Sequence, residues 1–235
     1  MANVSLPHDA KAGPTKPAVR AVLIDTLDLD AGDHFVEIGS CTGAVTVEAA
    51  RRAGRVTAIE RKPERAAVTR KNLDANGIAV EDVPAADGGS AGVGEGSGPT
   101  AATASDHAAP DPATPDHAAV EVREAEAPAG IPGDADALFL GGSRNYEAVL
   151  DRAVEIGVDR VIMNVSRLEV AGAATEAFRE RGLLEDVLQF QVSHGYELAG
   201  ATSFESDNPV YMLIGGVDDR EVAADGGVRG DGGDR

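Results

Sequence analysis

A short apolar segment, followed by a glycine-containing turn and a helix-forming segment, is the feature that most restricts the fold of this chain. Residues 36–43 read Val-Glu-Ile-Gly-Ser-Cys-Thr-Gly, and a second apolar segment, 56–59, ends at Glu60. This arrangement is typical of a Rossmann-like sheet that binds an adenosine cofactor. The Glu60 carboxylate can accept hydrogen bonds from both ribose hydroxyls, and glycine lets a cofactor approach the backbone closely.

Strand-forming and helix-forming segments alternate along most of the chain. Runs of Val, Ile, Leu and Phe predict strands at 35–38, 56–59, 120–124, 137–140, 160–165, 184–192 and 210–214. Apolar residues at helical spacing predict helices at 19–27, 44–53, 63–76, 144–156 and 167–182. Such alternation indicates an α/β fold with a parallel sheet covered on both faces. The polar connection between the last two strands indicates that these two pair antiparallel.

Three segments lack this pattern. We predict a flexible arm at residues 1–12 and a disordered acidic tail at the glycine-rich residues 217–235. Residues 84–119 are rich in Ala, Gly, Pro, Ser, Thr and Asp and contain neither lysine nor arginine. Such a segment buries too little apolar surface to offset its ordering entropy, so we expect a disordered insertion. The folded domain is therefore expected over 13–216, interrupted by this insertion.

Charge and composition restrict the partners and the environment. The formal net charge is -19, and only four of the 21 basic residues are lysines, which indicates a halophilic protein. No basic stripe is present to neutralise phosphates, so a nucleic-acid partner is not expected. The single cysteine and the scattered histidines give no metal-ligand spacing. Because no apolar run is long enough for a membrane span or a signal peptide, we expect a cytoplasmic protein without a membrane partner.

The first turn distinguishes two classes of adenosine-cofactor protein. A dinucleotide dehydrogenase would carry Gly-x-Gly-x-x-Gly, whereas this turn has only Gly39 and Gly43, with Cys41 at the usual middle position. We interpret Cys41 as a small residue tolerated in the turn rather than as a reactive thiol. A Rossmann-like sheet of seven strands, with the last strand antiparallel, is characteristic of class I methyltransferases that use S-adenosylmethionine (SAM).

Further motifs give the chain a more specific resemblance. Residues 12–16 read Ala-Gly-Pro-Thr-Lys, 136–143 read Asp-Ala-Leu-Phe-Leu-Gly-Gly-Ser, and 161–164 read Val-Ile-Met-Asn. Residues 191–195 read Gln-Val-Ser-His-Gly, and 208–211 read Asn-Pro-Val-Tyr. Together these motifs resemble the cobalt-precorrin-6B carbon-15 methyltransferases (decarboxylating) of cobalamin synthesis, the CbiT family. The resemblance covers about 11–216, apart from the insertion.

The resemblance implies SAM as the cofactor and a set of residues that hold it. Glu37 and Gly39 would face its methionine end, with Glu37 near the ammonium group, and Glu60 would hold the ribose. Glu126 stands where the family usually has an aspartate near the adenine. The other cofactor-binding residues that the resemblance implies are Thr15, Lys16, Gly43, Gly141 and Gly142.

The implied substrate is a corrinoid macrocycle with many carboxylates, so an acidic chain must place cations near it. Arg144 directly follows the Gly-Gly-Ser turn, and its planar guanidinium suits a carboxylate. Other candidate cations are Lys16, Arg20 and Arg167, and the further substrate-binding candidates are Ser143, Asn164 and His194. No catalytic residue is assigned, because electron density released by decarboxylation can itself make the macrocycle nucleophilic. No metal ligand is assigned either, because the cysteine and the histidines lack metal-ligand spacing. The resemblance also implies a homo-oligomer, with four chains as in the family.

Two other functions stay open on the residues alone. RNA methyltransferases share this type of sheet and cofactor turn, although the segment that ends in Leu-Gly-Gly-Ser at 140–143 differs from the Asn-Pro-Pro-Tyr type that favours a base substrate. A SAM-binding partner subunit without catalysis is the other alternative. Tight cofactor binding without turnover would favour it.

Overall fold

The structure is a computed structural model that describes residues 4–10, 13–81 and 117–217. Among these residues an eight-stranded sheet runs in the order β3-β4-β2-β1-β5-β6-β10-β7, and a separate hairpin is formed by β8 and β9. The strands are β1 (His34–Ile38), β2 (Arg55–Ile59), β3 (Val80–Glu81), β4 (Ala119–Arg123), β5 (Ala137–Leu140), β6 (Arg160–Val165), β7 (Leu184–Phe190), β8 (Ser193–Leu198), β9 (Ala201–Ser206) and β10 (Val210–Gly215).

Five helices cover the described sheet. They are α1 (Pro17–Leu27), α2 (Ala44–Ala49), α3 (Pro63–Asp74), α4 (Tyr146–Ile156) and α5 (Leu168–Glu180). The first three pack on one face of the sheet, where Leu23 and Leu73 meet Phe35. The last two pack on the other face, where Leu150 and Phe178 are fully buried. Strands buried on both faces are expected to be almost continuously apolar, and β5 is an uninterrupted run of four buried residues.

The strand directions agree with the alternating pattern of the sequence. Strands β1, β2, β4, β5 and β6 are parallel, while β10 runs antiparallel to both β6 and β7. Strand β1 lies between β2 and β5. The strands up to β4 therefore extend the sheet on one side of β1, and the strands from β5 onwards extend it on the other side. This switch in strand order opens a crevice at the carboxyl end of β1, which is where such sheets bind ligands.

Several helix and strand boundaries in the structure differ from the predicted ones. The sheet has eight strands rather than seven, because the two-residue strand β3 is added beside β4. The predicted strand 184–192 ends at Phe190, and the polar connection that follows contains the β8–β9 hairpin. The predicted helix 44–53 ends at Ala49, and the helix predicted to begin at 144 begins at Tyr146.

The predicted flexible segments lie partly inside the described residues. The segment 4–10 lies against α3 and the turn that follows it. The backbones of Ser5 and His8 form hydrogen bonds of 2.7–3.0 Å with the side chains of Asn76, in that turn, and Asn72, in α3. Ala119 already belongs to β4, and the Val217 amide donates to the Val158 carbonyl at 2.9 Å. The rest of the predicted arm (1–3 and 11–12), of the insertion (84–116) and of the tail (218–235) lies outside the described residues. Within the described part of the chain, no helix is both long and apolar enough to cross a membrane.

Candidate active site

A cavity of about 390 Å³ opens where the carboxyl ends of four parallel strands meet. Its walls include Gly39 after β1, Glu60 after β2, Gly141 after β5 and Ser166 after β6. The N-terminal residues 13–16 and the segment 125–127 close its sides. The volume lies in the range of pockets that enclose a cofactor or another small ligand.

The turn after β1 has three residues with positive φ angles. These are Gly39 (83°), Cys41 (54°) and Gly43 (74°), and the turn is held by a 2.8 Å hydrogen bond from the Gly39 amide to the Ile59 carbonyl. A Cβ atom on Gly39 would meet no atom within 4 Å, so this backbone borders open space in the cavity. A ligand can therefore approach the Gly39 backbone more closely than it could approach a residue with a side chain.

Gly43 lies behind the same turn. A Cβ atom there would come within 3.0 Å of the Thr69 side chain in α3, and Gly43 is absent from the cavity lining. The positive φ and the packing on Thr69 therefore account for this glycine without a cofactor contact. Cys41 is buried and lines the cavity in a left-handed conformation, which is uncommon for a residue with a side chain.

Glu60 is fixed by the backbone on both sides. Glu60 is only 4% exposed, and its carboxylate accepts a 3.3 Å hydrogen bond from the Cys41 amide and a 3.0 Å hydrogen bond from the Lys62 amide. Each oxygen thus accepts one amide and keeps further acceptor capacity. Because Glu60 also lines the cavity, this carboxylate is preorganised to accept hydroxyl groups of a ligand.

Glu37 is a second buried carboxyl group in the cavity wall. Burial raises the pKa of Glu37 to about 7, the neighbouring Glu60 adds to this shift, and the hydrogen bond from the Thr46 hydroxyl opposes it. A carboxyl group with this pKa is poised between its two protonation states at neutral pH. A cationic ligand group beside it would favour the ionised form.

Two carbonyl groups at the carboxyl end of β1 explain why residue 141 is a glycine. A Cβ atom on Gly141 would lie 3.2 Å from the Gly39 carbonyl oxygen and 3.4 Å from that of Ile38, and the Gly141 amide donates to the Ile38 carbonyl at 2.9 Å. Gly141 therefore lets the β1 and β5 ends lie side by side. The next residue, Gly142, also lines the cavity and has open space around its Cα.

Glu126 and Arg144 interact with each other at the edge of the cavity. Arg144 donates to a Glu126 carboxylate oxygen at 3.3 Å, and the Asn145 side chain donates to the same oxygen at 3.3 Å. Both charged side chains are about half exposed or more. The cation expected to meet the substrate is thus already paired with the acid expected to meet the adenine.

The N-terminal segment contributes Thr15 and Lys16 to the cavity. Arg20 is largely buried and donates to the Thr15 carbonyl at 2.8 Å, so it supports this segment and does not face a ligand. Lys16 forms a 2.5 Å ion pair with Asp207, beyond the end of β9, and this contact holds the pKa of Asp207 below its usual value. The segment 13–16 is therefore connected across the cavity to the connection before β10.

Asn164 has the clearest unfilled hydrogen-bonding capacity in the cavity. Both polar atoms of its side chain are buried, and neither has a hydrogen-bond partner among the described residues. Asn164 lies near the carboxyl end of β6 and lines the cavity. Because buried donors and acceptors are normally paired, this amide is suited to a ligand that offers both a donor and an acceptor.

Five of the predicted residues are not in the cavity lining: Gly43, Ser143, Arg167, His194 and the supporting Arg20. Ser143 and Arg167 are exposed beyond the strand ends. His194 lies on β8, with its side chain 71% exposed and 3.3 Å from Asp207. His194 lies outside the cavity because residues 193–206 form the separate β8–β9 hairpin rather than part of the main sheet.

Other cavity residues are absent from the predicted set: Ser40, Thr42, Arg61, Arg65 and Ser166. Arg61 directly follows Glu60, and Ser166 directly follows β6, so the rule that strand ends form the site could have identified both. Arg65 belongs to the first turn of α3. Its position in the lining depends on how that helix lies on the sheet.

The sheet order, with its antiparallel β10 and a cavity at the β1 end, defines a class I methyltransferase fold. A family model described as a precorrin methyltransferase domain matches residues 7–93. A curated protein of Halobacterium salinarum, named a probable cobalt-precorrin-6B C(15)-methyltransferase (decarboxylating), is 60% identical over 92% of this chain and 95% of its own length. The chain therefore belongs to the family of cobalt-precorrin-6B C(15)-methyltransferases (decarboxylating).

More distant proteins agree with this assignment. A protein of the same name from Methanosarcina acetivorans is 30% identical over 86% of this chain and 93% of its own length. A crystal structure of a precorrin-8w decarboxylase from Methanobacterium thermoautotrophicum superimposes with a TM-score of 0.66 and 25% identity, covering 87% of this chain and 92% of that one. The predicted family and fold class are confirmed, apart from the strand count. The Halobacterium relative also supports the prediction of a halophilic protein.

Proposed function

We propose that this protein methylates carbon 15 of cobalt-precorrin-6B and decarboxylates the same molecule, with SAM as the methyl donor. The observation that carries the proposal is the 60% identity to the Halobacterium relative over nearly the full length of both chains. This relationship favours a corrinoid substrate over RNA, and an enzyme over a binding subunit without catalysis.

The cavity suits an adenosine cofactor with a methionine end. Glu60 is preorganised to accept the two ribose hydroxyls, and the open Gly39 backbone allows close approach beside it. Glu37, one residue before Ile38 at the β1 end, is placed to balance an ammonium group. SAM supplies a methyl group that its sulfonium has already activated. We place Glu126 beside the adenine, and Thr15, Lys16, Gly141 and Gly142 against the rest of the cofactor.

The protein's own contribution to the reaction is alignment and exclusion of water. Loss of carbon dioxide from a substrate carboxylate leaves the electron pair of the broken carbon–carbon bond in the macrocycle, where it can form the new bond to the methyl group. No proton then has to be removed by a side chain, and we assign no catalytic residue. Asn164 offers a donor and an acceptor to the bound substrate, and Arg144 becomes available to a carboxylate if its pair with Glu126 opens.

Calorimetry at high salt, with SAM and with NAD in separate titrations, tests the cofactor. We expect binding of SAM alone, and binding of NAD alone would overturn the assignment. Turnover of cobalt-precorrin-6B is then measured from its two products, the methylated corrinoid and carbon dioxide. These two products should form in equal amounts. SAM binding without turnover of this substrate would favour the partner-subunit alternative.

We further propose a homo-oligomer of four chains, as the resemblance implies, with the β8–β9 hairpin in the interface. Isolated two-stranded hairpins are at best marginally stable in water. The hairpin exposes Tyr196, Leu198 and Phe204 by 46%, 57% and 68%. Tyr196 and Leu198 lie on one face, whereas Phe204 lies over Gly195 on the other. Apolar groups on both faces fit a hairpin that inserts between neighbouring chains. The cytoplasmic location stays a prediction.

Replacing Leu198 and Phe204 together with serine should dissociate this oligomer. Light scattering after size exclusion at high salt should give the mass of four 24.0 kDa chains for the wild type and a lower mass for the double variant. Leu168→Ser is the matched control, because Leu168 is 66% exposed at the start of α5 and lies outside the hairpin. A monomeric wild type, or an equal loss in the Leu168 variant, would contradict the proposed interface.

A further inference from the structure

The charge around the cavity differs from the charge of the chain. The whole protein has a formal net charge of -19, yet among the cavity residues that the structure describes, cations outnumber carboxyl groups. The carboxyl groups are those of Glu37, Glu60 and Glu126, and the cations are those of Lys16, Arg61, Arg65 and Arg144. A local excess of cations in an acidic chain indicates that the cavity receives an anionic group.

Only two of these four cations lack an acidic partner within the described ranges. Lys16 pairs with Asp207 at 2.5 Å, and Arg144 pairs with Glu126 at 3.3 Å. Arg61 and Arg65 form no ion pair or side-chain hydrogen bond with another residue that the structure describes, although ion pairs occupy Arg52, Arg70 and Arg123. The two cations without an acidic partner therefore lie at one place, where β2 meets α3.

Arg61 and Arg65 lie apart from the place proposed for the charged methionine end of the cofactor. Arg61 directly follows Glu60, and Arg65 lies in the first turn of α3, four residues later. In the proposed arrangement this is the ribose end of the cavity, and the adenosine of SAM carries no anionic group. The cofactor alone thus leaves both guanidinium groups without a counterion.

We propose that Arg61 and Arg65 form a subsite, at the rim of the cavity, for a carboxylate of the substrate; this inference rests on the proposed function. A cavity of about 390 Å³ has the size of one cofactor, so a macrocycle must lie across its mouth and present its side chains to the rim. At the molar salt that a halophilic protein tolerates, the Debye length is about 3 Å, so distant charges contribute little. Direct, bidentate contact with arginine remains effective under those conditions.

The variants Arg61→Gln and Arg65→Gln, and the two combined, test this subsite. Each single change should raise the KM for cobalt-precorrin-6B about tenfold or more, as expected for loss of one charge-assisted hydrogen bond, while the dissociation constant of SAM stays unchanged. Arg65→Lys should restore part of the loss, because lysine keeps the charge without the planar fork. Lys71→Gln is the matched control: Lys71 is an exposed cation on the same helix that does not line the cavity.

The outcomes separate this inference from the proposed function. An unchanged KM in the double variant, or weaker SAM binding without a change in KM, overturns the subsite. If the wild type binds SAM but does not turn over cobalt-precorrin-6B, the proposed function fails. Quenching of uroporphyrin fluorescence then tests the subsite separately, because this tetrapyrrole polycarboxylate needs no turnover. Weaker uroporphyrin binding by the double variant than by the wild type and Lys71→Gln supports an anion subsite, and equal binding overturns it.

Discussion

Replacing Glu37 with glutamine should stabilise the ligand-free protein above neutral pH. Burial raises the pKa of this carboxyl to about 7 in the folded protein, compared with 4.5 for a free glutamate side chain. The stability that the protonated form provides is complete below pH 4.5 and is lost as the pH rises towards about 7. Because 2.5 pKa units separate the two states, ionisation of Glu37 costs roughly 3 kcal/mol at about pH 8. Glutamine avoids this cost and can still accept the Thr46 hydroxyl.

Denaturant unfolding at about pH 5 and about pH 8, in the same high salt, measures this effect. The gain in free energy of unfolding on Glu37→Gln should be small at the lower pH and roughly 3 kcal/mol at the higher one. Glu48→Gln is the control, since Glu48 is also buried but has Arg52 at 3.0 Å. A gain that does not depend on pH would contradict the raised pKa of Glu37.

The same substitution should weaken cofactor binding. An ammonium group beside Glu37 lowers the pKa of this carboxyl, so SAM binding below about pH 7 should release a proton. The affinity for SAM should therefore rise with pH, and it should level off above the pH at which Glu37 is already ionised in the ligand-free protein. Calorimetry in buffers of different ionisation enthalpy counts that proton. In Glu37→Gln the proton release should disappear and the affinity should fall about tenfold or more. Proton release of equal size in both proteins would exclude Glu37 as the partner of the ammonium group.

The sequence predicted the centre of the sheet well because the signal there is local. Strands β1, β2, β5 and β6 are short, nearly continuous apolar runs, each close to a glycine, an acid or a helix start. The strand that was missed, β3, has only two residues and therefore no detectable periodicity. The β8–β9 hairpin was missed because its turn places Ala199 and Gly200 at φ angles of 51° and 78°. Asn-Gly or Asp-Gly would have indicated such a turn, whereas alanine gives no such signal.

The candidate site was predictable to the extent that it consists of strand ends. Glu37, Gly39, Glu60 and Gly141 follow from that rule, and the structure brings them together around one cavity. The rule cannot show which charged side chains find partners, because those contacts depend on residues distant in the sequence. Arg144 was the expected substrate cation, but Glu126, 18 residues away in the chain, pairs with it. Arg61 and Arg65 are recognised as cations without an acidic partner only when the contacts of each cation around the cavity are known.

Glu60→Ala should cause the largest loss of cofactor affinity, about 1–3 kcal/mol or roughly five- to 160-fold. Glu60 is 4% exposed and its carboxylate is held by two backbone amides, so ribose hydroxyls meet an acceptor that needs no reorganisation. The same two hydrogen bonds connect the turn after β1 to the start of α3. Their loss will also lower the free energy of unfolding, so a weaker affinity alone does not show a contact with the ribose.

A double-mutant cycle with a modified ligand separates these two effects. S-adenosylhomocysteine and its analogue without the 2′-hydroxyl are titrated into the wild type and Glu60→Ala. If Glu60 binds the ribose, removing the hydroxyl should cost the wild type several-fold in affinity and should cost the variant almost nothing. If both proteins lose the same factor, Glu60 acts only through the fold of the turn. Glu126→Ala, which removes an exposed acid from the same cavity, should retain the wild-type response to the missing hydroxyl.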